Sequence, residues 1–243
     1  SNELEWDVVV ASREAQRRRE KSKAKSSGRR SDIEGMRGVA IALVVIFHVW
    51  VGKVSGGVDI FLALSGFFFF TGLMTWPAKV PAPERAWKTL RRLVPPMALA
   101  VGTGLLLAVI SLPESQLTQF YKQAITSLTF TQNWYLVDHG DSYASASASV
   151  SPFQHLWSMS VQAQIFLGSI LVFTVVAWAA NKANLHVRRV VIAAMILLTV
   201  ASMVWAIYRH ETNQAVAYYD TFARFWEISL GGLFGVALLK RQM

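Results

Sequence analysis

The chain contains five long runs that hold no Asp, Glu, Lys or Arg, and these runs restrict its fold more than any other feature. They cover residues 38–52, 60–78, 93–113, 156–180 and 190–208. Each approaches or exceeds the roughly 20 residues that a helix needs to cross a hydrocarbon layer of about 30 Å. Lipid offers the backbone no hydrogen-bond partners, so only helices and closed barrels span it, and these runs lack the alternation of barrel strands. The sequence therefore predicts an all-α, polytopic transmembrane helical bundle.

The distribution of Lys and Arg predicts which loops share a side of the membrane. Segment 76–92 contains five of these residues and segment 181–189 contains three, whereas 114–155 and 208–220 contain one each. Because cytoplasmic loops carry an excess of Lys and Arg, the two basic segments are expected on the cytoplasmic side together with the N-terminus. The result is six predicted spans, at about 36–52, 58–75, 93–112, 155–180, 189–208 and 220–239.

The long segment between the third and fourth predicted spans is expected on the opposite side. Within it, residues 124–136 are apolar but too few to cross, so they are predicted to form a short re-entrant or interfacial helix. The following residues, 137–152, are rich in Ser, Ala and Asp and are typical of a flexible polar loop. Asp138, His139 and Asp141 fall in or beside this loop, and no metal site is expected there.

The N-terminal residues differ in class from the rest of the chain. Segment 11–30 holds nine Lys or Arg against Glu14 and Glu20, out of a total net charge of +9. Such a segment next to a span favours a disordered cytoplasmic tail facing anionic lipid over a nucleic-acid-binding arm. We predict a tail over 1–31 and a transmembrane domain over 32–243, expected to be incomplete at its C-terminus. The absence of cysteine excludes disulfides and a cysteine nucleophile.

Three ionisable residues lie in or next to the first two predicted spans. Arg37 and His48 are eleven residues apart, which places them on one helix face about 16 Å apart along the axis. The turn that follows is short, so Asp59 returns to about the depth of His48. A carboxylate beside an imidazole fixes its tautomer and raises its basicity, as a general base requires. Alternatively, Arg37 anchors the span at the membrane boundary and Asp59 balances a helix dipole.

A second ionisable pair, Arg224 and Glu227, lies in the last predicted span. The two residues are three positions apart, so they can form an ion pair on one helix face. This pair is either a structural salt bridge or part of a binding site, since ionisable groups inside spans commonly mark functional sites.

Four segments resemble, in order, motifs of the acyltransferase-3 family of integral membrane O-acyltransferases. The first has an Arg and a His separated by ten residues, the second a Gly-Val-Asp stretch before Ser-Gly-Phe, the third a His-x-Trp-Ser signature and the fourth an Arg before a Trp-Glu pair. They are RGVAIALVVIFH (37–48), GGVDIFLALSGFFF (56–69), SPFQHLWSMSVQAQIF (151–166) and YDTFARFWEISLGGLFG (219–235).

The resemblance covers about 32–239 and has departures. Gln162 and Ala163 stand where the family has two glutamates, so no acidic role is carried over to them. In the basic motif before the third span, Arg92 and Pro95 align, but Thr89 replaces an expected arginine. Family members usually have about ten spans, so about four are expected to be missing here.

The resemblance implies transfer of an acyl group, most simply acetyl, to a hydroxyl of a bacterial cell-envelope glycan or glycolipid. His48 is the candidate base, with Asp59 and Arg37 completing the catalytic set, and direct transfer or a transient acyl-histidine are both open. The implied co-substrate is cytoplasmic acyl-CoA, with no permanently bound cofactor or metal. The candidate phosphate-binding residues are Arg37, Lys88, Arg91 and Arg92. The candidate acceptor-binding residues are His155, Trp157, Ser158, Arg224 and Glu227.

Two other function classes fit parts of the sequence. Arg37, His48 and Asp59 could line a proton pathway in a transporter, although the chain shows no pair of broken helices in matching halves. A membrane scaffold that recruits partners through the basic tail is the third class. The expected location is the bacterial inner membrane, with membrane lipids, acyl-CoA and an envelope acceptor as partners and no nucleic acid.

Overall fold

The computed structural model describes residues 57–75, 80–139, 151 and 153–242. All regular structure in these residues is helical, which confirms the all-α class. Eight α-helices and one 3₁₀ turn follow in chain order within the described part. They are α1 (Gly57–Thr75), α2 (Ala82–Ser111), α3 (Glu114–Leu128), α4 (Gln132–Asp138), the 3₁₀ turn (Gln154–Leu156), α5 (Trp157–Lys182), α6 (Val187–Thr212), α7 (Gln214–Tyr219) and α8 (Thr221–Gln242).

Helices α1, α2, α5 and α6 are long and apolar enough to cross a membrane. Their outer faces carry large apolar side chains such as Leu99, Ile110 and Leu197, which are at least 70% exposed. Such surfaces suit lipid, and the protein is a multi-pass membrane helical bundle. Helix α8 matches the last predicted span, but it is not among these four. The first predicted span, at 36–52, and the predicted tail lie outside the described residues.

The core lies where α1, α5, α6 and α8 meet. Leu62, Val161, Met195 and Ile228 come from these four helices, and each is fully buried. Phe69 of α1 stacks face to face on an α5 phenylalanine with ring centroids 3.9 Å apart. These contacts hold the N-terminal part of α8 against α1, which brings the ionisable residues of both helices to one level.

Helices α1 and α8 cross at two glycines that let the backbones touch. A Cβ atom added to Gly66 would lie 1.8 Å from the carbonyl oxygen of Ile228. A Cβ atom added to Gly231 would lie 1.9 Å from the carbonyl oxygen of Ala63. Small residues allow this close approach, as in other membrane helix pairs. The crossing therefore depends on the absence of a side chain at both positions.

The basic segment 76–92 is only partly a loop, contrary to the prediction. Helix α2 begins at Ala82, so four of its basic residues lie on helical turns. Pro83 sits in the first turn, where proline costs no hydrogen bond and its backbone geometry suits a helix start. The helix also continues through Pro95 and Pro96 without ending.

The prediction of one short helix at 124–136 is wrong in its boundaries. Helix α3 begins ten residues earlier, at Glu114, and the chain breaks at Thr129–Thr131 before α4. Phe130 adopts a positive φ of 56° at this break, a conformation that is uncommon for a residue with a side chain. The predicted loop at 208–220 is also largely helical, because α6 extends to Thr212 and α7 follows.

Candidate functional site

Arg224, in the first turn of α8, joins two carboxylates from two helices. Its Nη1 atom lies 3.1 Å from Asp59 Oδ1 and 2.5 Å from Glu227 Oε1. The pairing with Glu227 is the one that the three-residue spacing predicts. The Asp59 side chain is 50% exposed, whereas those of Arg224 and Glu227 are 14% and 3% exposed. We call Asp59, Arg224 and Glu227 the ionic triad.

The guanidinium of Arg224 makes further contacts that hold it in place. Its Nε donates to the carbonyl oxygen of Tyr218 at 2.9 Å. Its central carbon lies 4.6 Å from the ring centroid of Tyr218 and 5.7 Å from that of Trp157. A cation over an aromatic face is attracted by the ring quadrupole. The Arg224 guanidinium of the ionic triad is therefore packed against aromatic rings and held by a backbone hydrogen bond.

A buried aspartate at the corner between α7 and α8 orients the start of α8. Asp220 is 1% exposed, and its Oδ1 accepts hydrogen bonds from the backbone amides of Phe222 and Ala223. Its Oδ2 accepts from the side chains of Trp205 and Arg209 of α6. Side-chain acceptors of this kind satisfy the free amides of a first helical turn. Asp220 thereby caps the first turn of α8, which carries Arg224, and joins it to α6.

Amide side chains of α4 and α5 also hold the corner between α7 and α8. The Asn133 Nδ2 atom donates to Thr221 Oγ1 at 2.9 Å and to the Tyr219 carbonyl at 3.1 Å. Gln164 of α5 donates to Asn133 Oδ1 and accepts from Thr221 Oγ1. Asn133 is fully buried, so the break before α4 is held deep in the bundle. These hydrogen bonds connect α4, α5 and the start of α8, the helix that carries Arg224.

A cavity of about 450 Å³ opens beside Arg224 and Glu227, and we call it the triad cavity. The Oε2 atom of Glu227 is buried and has no hydrogen-bond partner among the described residues. Buried polar atoms are normally paired, so this oxygen is an unsatisfied acceptor next to the cavity. The other polar or aromatic residues that line the cavity are His210, Glu211, Gln214, Tyr218 and Trp226.

The sequence pattern does not mark these five lining residues as site candidates. They lie at the end of α6, on α7 and early in α8, which the charge pattern assigned to a span end and a loop. The signal that could have found Trp226 is its position beside Glu227 in the fourth family-like motif. Nothing in the local sequence marks His210 or Glu211, because their role depends on the packing of α6 against α8.

A larger cavity of about 660 Å³ lies at the opposite ends of the helices, and we call it the basic-end cavity. It is lined by the end of α1, the start of α2, the end of α5 and the start of α6, including Arg85 and Arg188. Lys88, Arg91 and Arg92, predicted to bind phosphates, are exposed on α2, and none of them lines this cavity.

The predicted acceptor-binding residues divide into two groups. Trp157 is buried in the core, and its ring lies near the Arg224 guanidinium. His155 is exposed in the 3₁₀ turn, and the hydroxyl of Ser158 donates to its carbonyl oxygen. Neither His155 nor Ser158 lines the triad cavity. The structure thus brings Asp59, Trp157, Arg224 and Glu227 together but not the complete predicted set.

Two predicted catalytic residues, Arg37 and His48, lie outside the described residues. Among the described residues, Asp59 pairs with Arg224. The predicted contact between Asp59 and His48 lies outside them. Within the described ranges, no three His, Asp or Glu side chains lie close enough together to hold a metal ion. The polar side chains at the triad cavity can supply hydrogen bonds and charge stabilisation.

Comparison with known proteins matches the chain to one family. The family model for acyltransferase 3, described as "Acyltransferase domain", matches residues 30–243. "Putative membrane-bound transacylase BcsY" of Komagataeibacter xylinus is 32% identical over 209 residues, which cover 84% of this chain and 50% of that protein. Peptidoglycan O-acetyltransferase OatA of Listeria monocytogenes is 28% identical over 210 residues, which cover 82% of this chain and 32% of that protein.

A further relative is the O-acetyltransferase OatA of Staphylococcus aureus. It is 25% identical over 205 residues, which cover 82% of this chain and 33% of that protein. The chain therefore spans between a third and a half of the length of these relatives. No solved structure matches the chain with significance.

Proposed function

Because the chain belongs to the acyltransferase-3 family, we propose that it is the membrane domain of an O-acyltransferase that modifies a cell-envelope glycan or glycolipid. The observation that carries this proposal is the ionic triad facing a cavity in a membrane bundle. Arg224 and Glu227 line this cavity, and the second carboxylate oxygen of Glu227 is buried without a partner among the described residues. The names of the two OatA relatives, which specify O-acetyl transfer, support the reaction class and favour acetyl as the acyl group.

The proposed reaction transfers an acyl group from acyl-CoA to an acceptor hydroxyl. The hydroxyl oxygen attacks the thioester carbonyl, the carbon–sulfur bond breaks, and CoA leaves as its thiol. His48 takes the hydroxyl proton as general base, and Arg37, predicted from its spacing to share a helix face with His48, completes the catalytic set. The ionic triad would hold the acceptor and stabilise charge, since preformed polar groups act strongly in a site that excludes water.

The basic ends of the helices are proposed to face the cytoplasm and to receive the anionic donor. This orientation follows the positive-inside rule and places the N-terminus in the cytoplasm of a bacterial inner membrane. The triad cavity would then open toward the opposite side, where envelope acceptors are found. The Trp157 ring packs near the Arg224 guanidinium. His155 and Ser158 are proposed to contact the part of the acceptor that lies outside the cavity.

Replacement of His48 by alanine is expected to abolish acyl transfer while the protein remains in the membrane. Loss of a general base typically costs 10²- to 10⁴-fold in rate, so we expect a fall of at least about 100-fold. The measurement is transfer of radiolabel from acetyl-CoA to an isolated envelope fraction. His186→Ala is the matched control because His186 is exposed at the start of α6, away from the triad cavity. Retained activity in His48→Ala would rule out His48 as the base.

Two sets of basic residues compete for the donor's phosphates, and substitution can separate them. Lys88, Arg91 and Arg92 are the candidates from the sequence, and Arg85 and Arg188 line the basic-end cavity. A charge-assisted hydrogen bond contributes about 1.5–3 kcal/mol, so losing one should raise the KM for acetyl-CoA by about 10-fold or more with little change in kcat.

We expect this KM effect for Arg188→Ala and a smaller one for Arg91→Ala. Arg91 is the matched control because it is also an exposed arginine near the same end of the bundle. A larger effect for Arg91→Ala or Arg92→Ala would favour the residues chosen from the sequence. Lys88 is paired with Glu84 at 2.7 Å, so its substitution is expected to have the smallest effect.

A proton-coupled transporter is the second candidate function. The buried ion pair of Arg224 and Glu227 favours it, since such groups can relay protons across a membrane. Proton flux into vesicles that contain the purified protein distinguishes the two functions. Flux without acyl transfer would support the transporter, whereas acyl transfer without flux would support the enzyme.

A further inference from the structure

We propose that the triad cavity binds an uncharged, hydroxyl-rich sugar ring and discriminates against sugars that carry a carboxylate. This inference rests on the proposed function and adds the chemical class of the acceptor. Its basis is the charge balance of the cavity, the hydrogen bonds already made by Arg224, and the polar and aromatic side chains that line the cavity.

The charged groups at the cavity are mainly acidic. Among the described lining residues, Glu211 and Glu227 are carboxylates, and the cation is Arg224. Asp59 adds a third carboxylate through its bond to the same guanidinium. An anionic ligand would therefore meet an excess of like charge at the cavity. Such juxtaposed like charges are a common means of rejecting a wrong ligand.

The positive charge of Arg224 is already offset by two carboxylates, which reduces its attraction for an anionic ligand. Its Nη1 is bonded to Asp59 and Glu227, and its Nε donates to the Tyr218 carbonyl. The Tyr218 ring covers one face. Turning Arg224 toward an anion would break these bonds and leave Glu227 buried without its counter-ion. This rearrangement is unfavourable because an unpaired buried charge is costly.

The groups that remain open suit a neutral sugar. Glu227 Oε2 is a buried acceptor without a described partner, and a sugar hydroxyl is a donor that would satisfy it after a small shift of the side chains that cover it. Tyr218 and Trp226 supply aromatic surface for the carbon–hydrogen faces of a sugar ring. His210 and Gln214 add polar groups at the exposed side of the cavity. A volume of about 450 Å³ lies within the usual range of small-molecule sites.

The test is competition by two small glycosides against acetyl transfer to the isolated envelope fraction. Methyl β-glucoside and methyl β-glucuronide share a ring and differ in one group, a hydroxymethyl against a carboxylate. We expect the inhibition constant of the glucoside to be at least about tenfold lower. An equal or lower constant for the glucuronide, or no inhibition by either glycoside, would overturn the proposal.

A charge change on the cavity wall tests the cause of the preference. Glu211→Lys should reduce the ratio of the two inhibition constants by about fivefold, the size of an exposed charge effect. Glu114→Lys is the matched control, since Glu114 is an exposed glutamate that does not line the cavity, and it should leave the ratio unchanged. A ratio that is unaffected by Glu211→Lys, or equally affected by both substitutions, would contradict the proposed role of the cavity charge.

The failure of the proposed function is distinguishable from the failure of this inference. If no label reaches the envelope fraction, the transferase proposal fails, and the competition assay has no signal. Saturation-transfer NMR then measures binding of the same two glycosides to the purified full chain. This measurement decides the sugar preference independently of catalysis. Preferential binding of the glucoside would support the inference, and equal or absent binding would overturn it.

Discussion

Gly231→Ala is expected to destabilise the bundle and to reduce acyl transfer at the same time. The added Cβ would lie 1.9 Å from the backbone oxygen of Ala63, so one helix must move as a whole. Overpacking costs about 1–3 kcal/mol when side chains can adjust, and occasionally more, so a backbone collision should reach the upper end of that range. The same shift would pull Asp59 away from Arg224 and disturb the ionic triad.

Thermal unfolding of the purified protein in detergent, together with the acetyl-transfer assay, checks this expectation. Gly66→Ala should behave in the same way, because its Cβ would meet the backbone oxygen of Ile228. Gly72→Ala on α1, the helix that carries Gly66, is the matched control, since a Cβ there would meet no heavy atom within 4 Å. Alanine also favours a helix over glycine, so this control should be neutral or stabilising. Equal unfolding temperatures for Gly231→Ala and Gly72→Ala would show that the helices do not cross as described.

Arg224→Leu is expected to produce the second large effect, a loss of stability by about 3–5 kcal/mol together with a loss of activity. Glu227 is 3% exposed, and removal of its counter-ion leaves a carboxylate buried without compensation. Breaking a buried ion pair from one side costs this amount because the remaining charge is not solvated. Activity should fall because the acceptor loses an oriented Glu227 carboxylate.

The double variant Arg224→Leu, Glu227→Leu separates the structural role of the pair from its functional role. Replacing both partners with apolar residues is often neutral for stability, so the unfolding temperature should recover toward that of the parent. Acetyl transfer should remain lost, since both polar groups are absent. Recovery of transfer in the double variant would show that the pair is structural only. Failure of the unfolding temperature to recover would show that Arg224 acts on stability through other contacts, such as Tyr218.

The helical class and the positions of the described spans could be predicted because lipid imposes a simple length and composition rule. The predicted spans at 58–75 and 155–180 agree with α1 and α5 to within a few residues. The break before α4 could not be predicted in the same way. Its residues have ordinary helical neighbours. Phe130 adopts a positive φ there, and buried amide contacts join Gln132 to Gln123 of α3 and Asn133 to the distant Tyr219.

The pairing of Arg224 with Glu227 could be predicted because both residues lie on one helix. The bond from Arg224 to Asp59 could not, because 165 residues separate them and their contact depends on the glycine crossing of α1 and α8. The participation of Glu211 depends in the same way on how α6 packs. Local spacing therefore identified individual polar residues, whereas the composition of the cavity is a property of helix packing.

The two prolines inside α2 indicate which part of that helix suits the membrane boundary. Pro95 and Pro96 have no amide hydrogen, so the carbonyl oxygens four residues earlier receive no helical hydrogen bond. Those oxygens belong to Arg91 and Arg92, and hydrocarbon would offer them no donor. Headgroups and interfacial water supply such donors, which is consistent with a position of Arg91 and Arg92 at the membrane boundary. The remaining helix, 93–111, is about 28 Å long at 1.5 Å per residue, close to the thickness of the acyl-chain region.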